Sequence, residues 1–164
     1  MEISLLPVLR HYFAEEVKQA WIFVTVGLLA VGAALWLWRT QSAFRFALWP
    51  LLAGAAIQIG VGAYILARTP EQQARLEAGL LQAPAQTRQN ELDRLSKMLD
   101  ALRFYKLFEI ALLLCALGLA LFLSQHTVAR GVALGLLVQS AFMLAADLVA
   151  EQRTEVYLDA LRRL

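Results

Sequence analysis

Cysteine is almost missing from this chain, and so is charge over four long stretches. Cys115 is the only cysteine and lies inside an apolar run, which excludes an internal disulfide and any zinc site built from cysteines. Neither histidine, His11 or His126, follows a glutamate by three residues, so the Glu-x-x-His from each of two helices that a di-iron carboxylate bundle needs does not occur. No Gly-x-Ser-x-Gly, His-Glu-x-x-His, phosphate-loop or dinucleotide fingerprint occurs, so none of the common hydrolytic or nucleotide chemistries is signalled. The net charge is only +2, with no basic stripe and no RNA-binding signature, which argues against nucleic acid.

What the chain has instead is apolar length. Of its 164 residues 60% are hydrophobic and 17% charged, against about 45–50% and 25% in soluble domains. Residues 20–38, 46–67, 110–125 and 131–146 contain no Asp, Glu, Lys or Arg. A membrane-crossing helix takes about 20 residues, so the pattern predicts an all-α integral membrane protein with four transmembrane helices arranged as two hairpins. A β-barrel is excluded because its roughly 10-residue segments alternate in polarity. Glu2, Glu15 and Glu16 precede the first run without a basic leader, so that run is expected to be retained as a span and not cleaved as a signal.

The expected organisation is an amphipathic interfacial lead-in over 1–19, spans at 20–38 and 46–67, and an extramembrane helical stalk at 70–104. Further spans follow at 105–125 and 128–150, with an amphipathic extension at 151–164. In the lead-in, Ile3, Leu6, Leu9, Tyr12, Phe13 and Glu16 recur at helical spacing, with Ser4 before Pro7 in a first turn. Thr69-Pro70-Glu71-Gln72 reads as a new helix start, Thr69 capping and Pro70 at the first position. Pro84 then breaks that helix. Beyond Gln86 nothing interrupts a helix until Leu123, so stalk and third span are expected to form one rod. The fourth span likewise continues, with Ala150, Thr154, Tyr157, Leu161 and Leu164 on one face and Asp147 beginning it.

Leu92, Leu95, Leu99 and Leu102 make a coiled-coil-like stripe. It either packs on the preceding helix or docks a protein partner. Two further faces, Gly54-x-x-x-Gln58-x-x-x-Gly62 and Gly131-x-x-x-Gly135-x-x-x-Gln139, read as close-packing surfaces within one chain or between copies of a homo-oligomer.

With four spans, all 13 acids share one side with every Lys and Arg except Arg39, Arg45 and Arg130. Counting basic residues puts that side, with both termini and the stalk, in the cytoplasm of a bacterial inner membrane.

The pattern Arg-x-Tyr-x-x-x-Glu occurs at Arg10-x-Tyr12-x-x-x-Glu16 and again at Arg103-x-Tyr105-x-x-x-Glu109, each before an apolar run. Glu71-Gln72 and Glu151-Gln152 echo one another after the second and fourth runs. These recurrences point to a parallel tandem repeat, with chance as the competing reading.

Glu109 and Asp147 fall about one turn inside the expected membrane boundary, where an acid is costly unless paired, protonated or bound to an ion. Glu16, Glu71 and Glu151 are expected to flank them, with Arg68 as a counter-charge and Tyr12 and Tyr105 alongside. The function this implies is binding or conduction of a proton, cation or small solute at one membrane face. Ion pairs at helix ends are the plainer reading of the same residues. A membrane adaptor, accessory or immunity-type protein working through the stalk is the main alternative, and an intramembrane enzyme using a Tyr-Glu pair is the second. His11-x-x-x-Glu15 puts an imidazole and a carboxylate on one helical face as a partial metal site. Membrane lipid is the expected surrounding medium, and the residues name no cofactor.

Overall fold

The computed structural model describes residues 5–123 and 125–163. Four helices carry nearly all of it: α1, Leu5–Arg39; α2, Leu48–Gln82; α3, Pro84–Phe122; and α4, Thr127–Arg162. A single 3-10 turn, Arg45–Ala47, leads into α2, and the described residues contain no strand. Each helix is long and apolar enough to cross a membrane by length and composition. At 1.5 Å per residue, even the 35-residue helices reach about 53 Å, well beyond an apolar core of about 30 Å. Every helix therefore has an apolar half and an amphipathic half. The amphipathic halves lie at the same end of the molecule, where the α2–α3 connection is also found.

The connections are short because the sequence supplies local turn chemistry. At the far end of α1 the Thr40 hydroxyl donates to the Trp36 carbonyl at 2.9 Å, and Gln41 takes a positive φ of 47° to reverse the chain. Between α2 and α3 the whole link is Ala83, with Pro84 opening α3 at a position where its missing N–H costs nothing. Gly79 makes this sharp link feasible, since a Cβ there would stand 2.7 Å from the Thr87 hydroxyl.

Two sequence expectations about helix boundaries are corrected. The lead-in does not turn at residue 20, because α1 is continuous from Leu5 onward. Thr69-Pro70 does not start a helix either, for α2 passes straight through Pro70. A proline inside a helix leaves one carbonyl without its donor and crowds it. α2 nevertheless continues through it, with Thr69 buried just before and Leu80 buried further along. Thr69, meanwhile, turns its hydroxyl back to the Ile65 carbonyl at 2.7 Å instead of capping. The long rods expected for the third and fourth runs are present as α3 and α4.

α1 packs most extensively along α2, and α3 along α4. In the amphipathic half a core closes all four helices together. Leu9, Tyr12 and Phe13 of α1 meet Leu80 of α2, Leu95 and Leu99 of α3, and Tyr157, Leu158 and Leu161 of α4. Tyr12 stacks on Tyr157 with ring centroids 4.5 Å apart. Tyr12 is thus a core residue, not the interfacial group expected of it, because the whole face of the lead-in turns inward. Ile3, Ser4 and Leu164, which belong to the predicted faces, lie outside the described residues. Arg88 closes this end by donating to the Leu161 and Arg162 carbonyls at 2.7 and 3.1 Å, where α4 has run out of backbone donors.

The leucine stripe is spent in the same core. Leu95, Leu99 and Leu102 are buried and Leu92 is half-buried, so the stripe is not a free docking surface in this fold. It shares this core with Leu76 and Leu80 of α2, but α4 is the helix along which α3 packs most.

In the apolar half the two glycine faces meet inside one chain. A Cβ on Gly54 would stand 2.4 Å from Gln139 Cδ, and one on Gly135 would stand 2.8 Å from the Ala47 carbonyl oxygen. Gly62 turns to α1 instead, with the Ala20 carbonyl oxygen 2.8 Å from the same position. These close approaches let Gln58 donate to Gln139 Oε1 at 2.6 Å, while Gln139 donates to the Leu51 carbonyl at 3.2 Å. The two amides partner each other and the backbone, which offsets much of their cost in an apolar interior, although Gln58 Oε1 is left without a hydrogen bond.

Candidate functional site

The acids divide between the two helix pairs. On α1 the recurring pattern places Glu16 on the face that meets α2, one helical turn beyond Tyr12. Glu16 is 1% exposed, and Arg68 donates to its Oε1 at 2.8 Å. The Thr69 hydroxyl lies 3.3 Å from Oε2. Arg68 also donates to Gln72 at 3.2 Å and sits over the Tyr64 ring at 5.4 Å. A buried carboxylate with its counter-charge and its hydrogen bonds in place is a finished structural unit.

On α3 the same pattern leads to a different environment. The stripe that runs through Leu99 and Leu102 continues onto Lys106 and Glu109, which delivers both toward α4. Lys106 donates to Glu151 at 2.5 Å across the α3–α4 contact. One turn further in, Glu109 is 6% exposed, and its buried Oε2 has no hydrogen-bond partner. The charged group whose field acts on it is another acid, Asp147 of α4. No ion pair neutralises Glu109 or Asp147 among the described residues. Two carboxyl groups near enough to act on each other in an apolar setting repel when both are ionised. A single proton, or one cation between them, removes that repulsion.

The remaining predicted residues fall elsewhere. Glu71 is exposed and pairs with Arg75 on its own helix. Tyr105 is exposed beside Phe104 and makes no hydrogen bond to Glu109. His11 is exposed, and Glu15 accepts from Lys18 at 2.5 Å, a hydrogen bond that holds its carboxyl below the usual range. The described residues contain no group of three His, Cys, Asp or Glu able to hold a metal ion, so His11 and Glu15 gain no third ligand. Glu16 and Arg68 are not part of one cluster with Glu109, Asp147 and Glu151, since no hydrogen bond or ion pair joins the two groups among the described residues. The expected single acidic cluster is in fact two sites, because each acid follows the helix partner of its own half.

No family model, curated protein or solved structure matches this chain. Residues and their geometry therefore carry the whole functional argument.

Sequence reasoning passed over two polar groups that the fold makes prominent. Glu91 is buried in the amphipathic half and receives two hydrogen bonds from Arg94, at 2.6 and 2.7 Å. Burial, with Glu91 adding to it, pushes the Tyr157 phenol well above its ordinary value and keeps it neutral. The second group is Gln19 with Arg153, whose Nη1 donates to Gln19 Oε1 at 2.7 Å. An acid three residues before an arginine on a leucine-striped helix is a readable signal for the first. The second depends on α1 meeting α4, which no local pattern announces.

Proposed function

We propose that this chain is a four-span membrane protein of the bacterial inner membrane, built as two helical hairpins, that binds a proton or small cation between Glu109 and Asp147. The observation that carries the reading is the buried Glu109 oxygen without a hydrogen-bond partner, with the charge of a second acid, Asp147, acting on it from α4. Carboxyls inside a membrane-spanning segment mark proton and ion sites because the unpaired charge is too costly to keep without a use.

Four apolar halves of suitable length support insertion, and the excess of Lys and Arg at the amphipathic end supports placing that end in the cytoplasm. In this arrangement the amphipathic halves form a small helical cap on the cytoplasmic face. The Lys106–Glu151 pair lies between the cap and the acid pair, where it offers a charged step between cytoplasm and site. The surface left for a second copy of the chain is the outward face of α3, with Leu107, Leu114 and Leu121 exposed, since the glycine faces are already used within one chain.

Proteoliposome flux tests the proposal. Protein is reconstituted with a pH-sensitive dye or a cation-sensitive dye inside, and a potassium diffusion potential is imposed. Wild type should carry protons or cations faster than empty liposomes, and a folded Glu109→Gln, Asp147→Asn variant should not. Equal flux from the two proteins would overturn the assignment of function to this pair.

A further inference from the structure

α1 and α4 make aromatic contacts at two levels, and between them Gln19 of α1 bridges to Ala146 and Arg153 of α4. Tyr12 stacks on Tyr157 at the cap end, and Phe23 meets Phe142 edge-on, with centroids 5.8 Å apart, inside the apolar half. Between these contacts lies an open cleft of about 610 Å³, within the roughly 300–1,000 Å³ of small-molecule sites. Its deeper part is apolar, lined by Ile22, Ala145 and Val149, and its outer part carries His11, Glu15, Lys18 and Arg153.

The rim is biased toward anions. Lys18 holds Glu15 in an ion pair, and although the Glu15 charge also acts on Arg153, no carboxylate among the described residues forms an ion pair with the Arg153 guanidinium. Arg153 is instead positioned by neutral groups: it donates to Gln19 Oε1 and lies over the Tyr12 ring at 5.4 Å, and its buried Nε has no hydrogen-bond partner. Gln19 is itself fixed, donating to the Ala146 carbonyl at 2.8 Å. A preorganised guanidinium with no ion-pair partner above an apolar slot, on a rim that carries Lys18 and Arg153 against Glu15 alone, has the chemistry of a site for an amphiphile with an anionic head. Lys18 and Arg153 also fall within three residues of the membrane boundaries expected at residues 20 and 150, which is headgroup level if the chain spans a membrane.

We propose that the α1–α4 cleft binds one anionic phospholipid, its phosphate on Arg153 and Lys18 and an acyl chain along Ile22, Ala145 and Val149. This rests on the membrane reading above but not on the acid pair, which lies on the α3 side of α4. The bound lipid fills the cleft and joins the first helix pair to the second.

The test is native mass spectrometry of protein released from mild detergent micelles doped with phosphatidylglycerol, phosphatidylcholine or inorganic phosphate. Wild type should retain one phosphatidylglycerol in preference to phosphatidylcholine. Arg153→Gln and Lys18→Gln should each weaken retention about fivefold, as expected for one lost cation near a lipid surface. Ala145→Phe, at an exposed position that fills the slot, should abolish it. If Arg153→Gln fails to fold, Lys18→Gln and Ala145→Phe decide. Equal retention of both lipids, wild-type retention by Ala145→Phe, or phosphate binding without lipid would each overturn the proposal. The Glu109→Gln, Asp147→Asn variant should keep its lipid, which separates failure of this site from failure of the acid pair. A wild type soluble without detergent would instead sink the membrane reading itself.

Discussion

Glu16 and Glu109 hold the same place in the recurring Arg-x-Tyr-x-x-x-Glu pattern, yet Glu16 is met by Arg68 at 2.8 Å while a buried oxygen of Glu109 has no hydrogen-bond partner. One half of the chain neutralises its buried acid and the other leaves it uncompensated.

That asymmetry predicts opposite responses to the same chemical change. Glu16→Gln removes one partner of a buried pair and should destabilise by about 2–4 kcal/mol, the lower part of the usual cost because Arg68 keeps some contact with water. Glu109→Gln removes a charge that has no counter-ion, and should be neutral or stabilising by about 1 kcal/mol. Thermal unfolding of the two variants in one detergent checks this. Equal losses would contradict the different environments.

The glycines separate in the same manner. Gly54→Ala drives a Cβ into Gln139 and should cost about 1–3 kcal/mol. Gly32, Gly60 and Gly118 have nothing within 4 Å of the new atom, so Gly→Ala there should be neutral or stabilising by up to about 1 kcal/mol through helix propensity. Melting temperatures of the four single variants give the comparison directly.

The fully buried Leu95 should behave as a core residue. Leu95→Ala should lower stability by about 2–5 kcal/mol, and half-buried Leu92→Ala by clearly less. Protease resistance of the cap, followed with detergent-solubilised protein, measures it. A Leu95→Ala variant as stable as wild type would return the stripe to the surface and to a partner.

A pH effect follows from Arg10 and Glu77. Arg10 donates to both Glu77 oxygens, at 3.0 and 3.1 Å, and these hydrogen bonds hold the Glu77 carboxyl below its ordinary value. A carboxyl lowered in the folded state contributes stability that is present above the unfolded value, near pH 4.3 for glutamate, and lost as pH falls through the folded value. The stability gap between wild type and Glu77→Gln should therefore be seen at neutral pH and close in acid. A gap that widens on acidification would contradict the sign.

The apolar half of the fold was legible in the sequence because runs without charge have one simple reading, and Pro84 marked its turn without ambiguity. Pro70 was misread because a Thr-Pro-Glu-Gln string satisfies the chemistry of a helix start equally well. Only the fold decides for a continuous rod. The lead-in face was recognised as helical but assigned to the membrane surface, since nothing in residues 6–16 says that three other helices will close over Tyr12 and Phe13. For the site, Glu109 and Asp147 could be picked out by their depth, and Arg68 as a cation near an acid. Which acid Arg68 would meet depends on the pairing of α1 with α2, which lies outside any local pattern. The α1–α4 cleft and the place of Arg153 on its rim are wholly tertiary and left no mark on the sequence.

The central claim is that Glu109 and Asp147 together hold a proton or a cation. Infrared difference spectroscopy of the reconstituted protein, titrated with acid and with added cation, reads carboxyl groups directly. The account predicts a carboxyl band in the wild type that responds to pH or to cation and is missing from a folded Glu109→Gln, Asp147→Asn variant. An identical set of carboxyl responses in the two proteins would contradict it.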